Sequence, residues 1–219
     1  MKHQICTNSK VFAEAVRDAS VYAARDSGKG LDSVILTVIP KEKMLSVIGC
    51  DGLGYYERKI QLEICKKYPK PSLPEKSMRL VISLPDASML VKFITQKGMA
   101  NIKLEVDDEE ITDGKYTVRL VLENGMATTF FCKVNPELPD LGSIKSHALK
   151  GKKKPAVLNR LQLPVNELIR AGKVLSRKYS FASISTCKGF TEGVMALLEC
   201  KDESMDISVI FMLNEMDNA

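Results

Sequence analysis

Histidine is scarce in this chain: His3 and His147 are the only two in 219 residues, too few for a His-rich metal site or for a mechanism that passes protons between imidazoles. The six cysteines, Cys6, Cys50, Cys65, Cys132, Cys187 and Cys200, include no C-x-x-C pair, and most stand in apolar, strand-like stretches. They read as buried thiols rather than as a redox pair or a zinc site. Cys187 or Cys200 as a nucleophile would need a base that neither histidine is placed to supply. Long hydrophobic runs are also missing. Val209 to Leu213 is far shorter than a membrane span, and the opening MKHQICTNSK has no apolar core of a secretory signal. A cytoplasmic protein without a membrane partner is the default expectation.

Two further absences narrow the function. Gly49-Cys50-Asp51-Gly52 lacks the Gly-Lys-Ser/Thr ending that makes a phosphate loop. The acidic run Asp107 to Glu110 reads as a solvated hairpin turn rather than a metal site. The chain thus carries no enzyme signature and calls for no cofactor or metal.

A hydrophobic content of 45% is enough for one or two real cores, and the net charge of +5 is modest. Its distribution says more. KGKKK at Lys150 to Lys154 falls in a Gly/Pro-bounded connector and reads as a charged loop, whereas Arg170, Lys173 and Arg177 recur at i, i+3, i+7 as one stripe of a helix.

The main organisational signal is an order of strand, helix and three strands that occurs three times. In the first copy, HQICT precedes Asn8 or Ser9 as a cap. Phe12, Ala15, Val16, Ala19, Tyr22 and Ala23 follow at helical spacing, Gly28 and Gly30 close the helix, and LDSVILTVI, MLSVIGC and YYERKIQLEI follow as strands. In the second, RLVISL leads to Ser83 as a cap, Pro85 in the first turn and Gly98 as a stop; NIKLEV, KYTVRLVLE and ATTFFCKV follow, the last two joined by Asn124-Gly125. The third opens with RLQL, has a helix from about Val165 to Lys178, and continues with SFASIST, VMALLEC and DISVIFML. Helix starts near Asn8, Pro85 and Pro164 are almost evenly spaced. The fold class is therefore α+β, in β-α-β-β-β units with antiparallel sheets and helices on one face. We expect a domain of two repeats over residues 1–134, a connector over 135–157 and a third half-domain over 158–219. Single units expose apolar sheet, so the third unit is expected to have no partner within the chain and its edge strands to need another chain, with DISVIFML a candidate interface or core element.

Three segments resemble the bacterial DNA polymerase III beta-type sliding clamps: LSVIGCDGL at Leu45 to Leu53, PELPDL at Pro136 to Leu141, and the opening RLQLPVNELI. Cys50 stands where that family usually shows Thr and Leu138 where it shows Phe, and the third unit lacks a clear Thr-Asp turn. Family members have three domains of two units each, so three units make half a clamp. The domains that form the family's peptide-binding pocket are largely absent, and no pocket residue carries over.

The resemblance implies the DNA-clamp fold: sheets outside, helices lining a channel around duplex DNA, and contacts to phosphates without sequence readout. The basic helix residues are then the expected DNA contacts: Lys10 and Arg17, which share a face with Glu14; Arg25, close to a position where the family places a DNA-contacting arginine; Lys92 and Lys97; and Arg170, Lys173, Arg177 and Lys178. For each of them a solvated helix face is the plain alternative. Charge reversal of Arg170, Lys173 and Arg177 is expected to weaken DNA association without affecting stability. The implied function is a clamp-like DNA polymerase processivity or DNA-tethering factor. Its implied partners are double-stranded DNA, a DNA polymerase and a clamp loader, and it is expected to be a homo-oligomer, either tetramer or dimer. The alternative is a clamp-derived protein-interaction module that does not encircle DNA.

Overall fold

The first two long helices begin where a small polar side chain takes up a free backbone N–H. Asn8 accepts from Val11 N at 3.1 Å at the start of α1 (Ser9–Tyr22), and Ser83 accepts from Asp86 N at 3.2 Å at the start of α2 (Leu84–Lys97), with Pro85 in the first turn. Gly98, at φ 60°, ends α2 in the left-handed conformation that glycine takes without steric cost. The computed structural model describes residues 2–23, 31–63, 72–98, 100–112, 114–133, 140–151, 161–162, 165–175, 183–188, 194–201 and 205–215. Gly28 and Gly30, expected to close the first helix, lie outside them.

Strand, helix and three strands recur in the expected order. The first unit is β1 (Lys2–Asn8), α1, β2 (Ser33–Ile39), β3 (Met44–Cys50) and β4 (Gly54–Gln61). The second is β5 (Met78–Ser83), α2, β6 (Asn101–Thr112), β7 (Lys115–Leu122) and β8 (Ala127–Lys133). After α3 (Leu141–Gly151) the third follows as β9 (Leu161–Gln162), α4 (Val165–Leu175), β10 (Ser183–Lys188), β11 (Val194–Lys201) and β12 (Met205–Glu215).

All described pairings are antiparallel, and they join the units into one sheet in the order β1-β6-β7-β8-β5-β2-β3-β4-β12-β11-β10, with β9 on the end of β12. The first two units exchange their opening strands: β1 pairs with β6 from Lys2↔Asp107 to Asn8↔Asn101, and β5 pairs with β2 from Val38↔Met78 to Ser33↔Ser83. Each opening strand also reaches the end of its own unit, through Glu63 N, two residues past β4, donating to Cys6 O at 2.9 Å in the first and through the β5–β8 pair Ile82↔Cys132 in the second.

The third unit corrects an expectation. Its strand DISVIFML finds its neighbour in the same chain: β12 pairs with β4 from Met205↔Ile60 to Phe211↔Gly54, so the sheet continues without a break from the first unit into the third. An apolar strand flanked by β4 and β11 leaves no open ladder of its own to fill over this stretch.

Alternation along the strands gives the sheet two apolar faces. Val34, Leu36, Val38, Leu45, Val47, Ala196, Leu198, Ile207, Val209 and Phe211 turn to the face that carries Phe12, Ala15, Ala19, Ala87, Leu90, Ile94, Ala171, Val174 and Leu175 of α1, α2 and α4. Ile35, Ile48, Tyr55, Val81, Met195, Leu197 and Ile210 turn to the other face, where Leu141 and Ala148 of α3 cover them.

Two local readings are also revised. Part of the expected connector is helical: Asp140 Oδ1 accepts from Ser143 N at 3.1 Å, and Leu141, Ile144 and Ala148 recur on one side of α3, so Lys150 and Gly151 close a helix, while Lys152 to Lys154 of the expected charged loop lie outside the described residues. The turn expected over Asp107 to Gly114 is narrower than that stretch: Asp107 to Glu110 lie within β6, where the register shifts between Val106 and Ile111, and the chain reverses at the far end, where Gly114 has φ 69°. The Asn124-Gly125 turn is as expected, with Leu122 N donating to Met126 O at 2.8 Å and Gly125 at φ 84°.

Candidate nucleic-acid interface

Burial of Phe12, Ala15, Val16 and Ala19 against the sheet fixes which side of α1 is left over, and Lys10 and Arg17 are exposed on it. The two line one groove of about 550 Å³ between the start of α1 and the end of α2, shared with Thr95 and Gly98. Glu14 lies in the same groove, but its carboxylate is drawn down to Arg58 of β4, with Oε2 3.5 Å from Nη1 of a guanidinium that is fully buried. The acid on this helix face is thereby matched from below, and Lys10 and Arg17 remain at the surface. Lys92 is exposed on α2 and Lys173 on α4. Lys97 ends α2, its side chain lying outside the described residues, as do Arg25, Arg177 and Lys178.

Arg170 is held differently from the other cations. Its Nε and Nη2 donate to Val21 O at 3.0 and 2.6 Å, Nη2 stands 2.6 Å from Asp51 Oδ2, and Nη1 donates to Glu167 Oε1 at 3.0 Å. The guanidinium carbon lies 4.4 Å from the ring centre of Tyr22, which stacks in turn on Tyr56. Partial burial works against the charge, yet Asp51 and Glu167 outweigh it and raise the pKa of Arg170. The planar fork of arginine fits this set of acceptors, and it ties α4 to the end of α1 and to the β3–β4 turn. Reversal at Arg170 therefore disturbs packing between units, which corrects the expectation that the three-residue stripe is free of structural work.

The stretch LSVIGCDGL acquires a reason at nearly every position. Leu45 and Val47 enter the core under α1. A Cβ on Gly49 would lie 2.0 Å from the carbonyl oxygen of Ala19, so only glycine allows α1 this close to β3. Asp51 Oδ1 accepts from Leu53 N and Gly54 N at 3.0 and 2.7 Å to shape the turn, leaving Oδ2 for Arg170. Ser46 donates to Glu57 Oε1 at 2.6 Å, and Tyr55 OH and Lys145 Nζ of α3 reach Glu57 Oε2 at 3.1 and 2.6 Å. Burial pushes the Glu57 carboxyl upward, but the Lys145 charge and these hydrogen bonds prevail and hold it below its ordinary value.

Sequence reasoning did not single out Arg58 or Lys145. The signal for Arg58 was its place among the alternating apolar residues of a strand, where a cation facing the core requires an acid above it.

No protein-family profile matches the chain, and no curated protein does. Solved structures match it over nearly its whole length. The DNA polymerase sliding clamp from Pseudomonas aeruginosa aligns with a TM-score of 0.65 at 11% identity, over 98% of this chain and 67% of that one. The beta subunit from DNA polymerase of Streptococcus pyogenes gives 0.61 at 14% identity, over 99% and 66%. The Helicobacter pylori beta clamp bound to a DNA ligase peptide gives 0.57 at 12% identity, over 99% and 68%. The chain spans about two thirds of the length of these clamps, more than the half expected from three units of six. At such low identity the likeness is one of architecture, and on that ground the chain has the fold of the bacterial DNA polymerase III beta sliding clamps.

Proposed function

We propose that the chain is a clamp-like tether for duplex DNA, a processivity factor that holds a DNA polymerase or another DNA enzyme to its template without reading sequence. The observation that supports this reading is the set of helices α1, α2 and α4 on one face of a continuous sheet, with Lys10, Arg17, Lys92 and Lys173 exposed on them. Cations spread over helix surfaces attract phosphates without fixing a register, which suits sliding. The protein would act by topology and weak backbone contacts, with no chemistry of its own.

The division into a two-repeat domain at 1–134, a connector at 135–157 and a half-domain at 158–219 belongs to the same reading, as do a cytoplasmic location and assembly into a homo-oligomer. No described helix is long and apolar enough to cross a membrane. The Helicobacter pylori clamp carries a DNA ligase peptide, so a peptide-bearing DNA enzyme is the kind of protein partner to seek, with a polymerase and a clamp loader first.

The test is retention on DNA as a function of salt. Wild-type protein is expected to stay longer on closed circular than on linear duplex. Lys10→Gln with Arg17→Gln should lower the slope of log affinity against log salt by about 2, at roughly 0.9 for each phosphate no longer neutralised. Equal slopes for the variant and the wild type, together with no preference for circles, would favour the interaction module that does not encircle DNA.

A further inference from the structure

Counted along the chain, α1 is electrically neutral, with two cations, Lys10 and Arg17, against two acids, Glu14 and Asp18. Glu14 follows Lys10 by four residues and precedes Arg17 by three, the spacings at which opposite charges on a helix surface pair and cancel. The fold sorts them by depth instead. Lys10 is exposed and the Arg17 side chain keeps 46% of its surface, whereas Glu14 keeps 16% and Asp18 4%. Asp18 Oδ1 stands 4.0 Å from Arg17 Nε, the outer limit of an ion pair. The other two helices on this face treat their acids in the same way. Asp86 of α2 accepts from the capping hydroxyl of Ser83 at 2.7 Å, and Glu167 of α4 is taken up by Arg170. The fully exposed charges described on these helices, Lys10, Arg17, Lys92 and Lys173, are therefore all positive.

For Glu14 the sorting is done from the sheet. Alternation along β4 turns Tyr56, Arg58 and Ile60 to the helix side, where Tyr56 and Ile60 join the core and Arg58 is completely buried among them. A guanidinium there requires a carboxylate, and Glu14 Oε2 lies 3.5 Å from its Nη1. The Glu14 side chain can turn up toward Lys10 and Arg17 or down toward Arg58. A surface pair in water gains little, whereas taking the acid from a buried cation costs much more, so the lower position prevails.

We propose that Arg58 is a positioning residue for phosphate binding: by holding Glu14 beneath the groove, it lets a helix of zero formal charge present Lys10 and Arg17 to the DNA backbone. Arg58 touches no phosphate and acts only through Glu14. The proposal rests on the reading of the chain as a DNA tether and adds to it a residue from the interior of the sheet.

The experiment follows retention on duplex DNA against salt for the full 219-residue chain and its variants. Arg58→Met should lower the slope of log affinity against log salt by about 1, and the affinity at low salt by roughly 10-fold, since Glu14 then cancels one surface cation. Adding Glu14→Gln to Arg58→Met should restore both, which a mere loss of packing at Arg58 would not allow. Lys59→Met takes the next cation of β4 from its pair with Glu42; it controls for net charge and should leave the slope as it is. Carbodiimide labelling with peptide mapping reads the carboxylate without DNA. Glu14 should be shielded relative to the exposed Glu42 in the wild type, and reactive in Arg58→Met. A folded Arg58→Met with the wild-type slope, or a double variant that regains nothing, overturns the proposal and leaves Lys10 and Arg17 as DNA contacts. Should Arg58→Met lose its circular dichroism signal, the wild-type label and the double variant decide. Glu14 labelled as fast as Glu42, or a folded double variant that binds DNA more weakly than the wild type, then overturns it. Wild-type protein without salt-dependent retention overturns the tether reading itself, and this role of Arg58 with it.

Discussion

Arg170 and Lys173 look alike in the sequence, as neighbouring turns of one basic stripe, and only the fold separates them. Lys173 is exposed, while Arg170 meets Val21 O, Asp51 and Glu167 at 2.6 to 3.0 Å. The Glu167 partner was legible as an i, i+3 pair; Asp51 was not, because nothing local links it to α4. Arg170→Met should lower stability by about 2 kcal/mol, the scale for removing charge-assisted hydrogen bonds at a partly buried site, read from the urea midpoint. Salt-dependent DNA retention of the folded variant should match the wild type, and a loss of retention with full stability would return Arg170 to the DNA contacts. Glu57 makes a pH prediction. Its pKa is lower in the fold than in the unfolded chain, so its ionised form stabilises above the ordinary carboxylate value of about 4.3, and the contribution is lost as pH falls through the folded value. The gap in melting temperature between wild type and Glu57→Gln should be full near neutrality and close as the pH drops below about 4. A gap independent of pH would mean that shape alone, and not charge, matters at this site.

At the scale of elements, what the sequence made readable was whatever neighbours decide. The caps Asn8 and Ser83, the stop at Gly98 and the Asn124-Gly125 turn act within a few residues, and each lies where the pattern predicts. Helix α3 escaped notice because LGSIKSHALKG carries few apolar residues; it stands where Leu141 and Ala148 find an apolar outer face to cover, and that face exists only once the sheet has formed. Gly49 is the element-scale position with the least tolerance. In Gly49→Ala the new methyl meets the Ala19 carbonyl, backbone against backbone, and α1 must lift from β3. A loss of about 3 kcal/mol in thermal or urea unfolding is expected. A variant as stable as the wild type would show that α1 and β3 can separate without cost.

For the molecule as a whole, the count of units was readable and their mutual arrangement was not. Each unit carries its own caps and turns, but the pairing of Tyr56 with Val209 joins strands far apart in sequence, and no local pattern encodes it. The same distance leaves the basic residues readable by helix and unreadable by site, since Lys10 and Arg17 share a groove only because α2 closes its other wall. The β4–β12 junction also bears on how the chain is made. During synthesis β4 leaves the ribosome long before β12, with one edge open to any passing strand, and slow non-local pairing prolongs that exposure. Its sequence carries Glu57, Arg58 and Lys59 in succession, the kind of charge that discourages stray edge-to-edge pairing. In the finished protein Glu57 is met by Lys145 and Arg58 by Glu14, so two charges suited to guarding a nascent edge end as buried ties to α3 and α1.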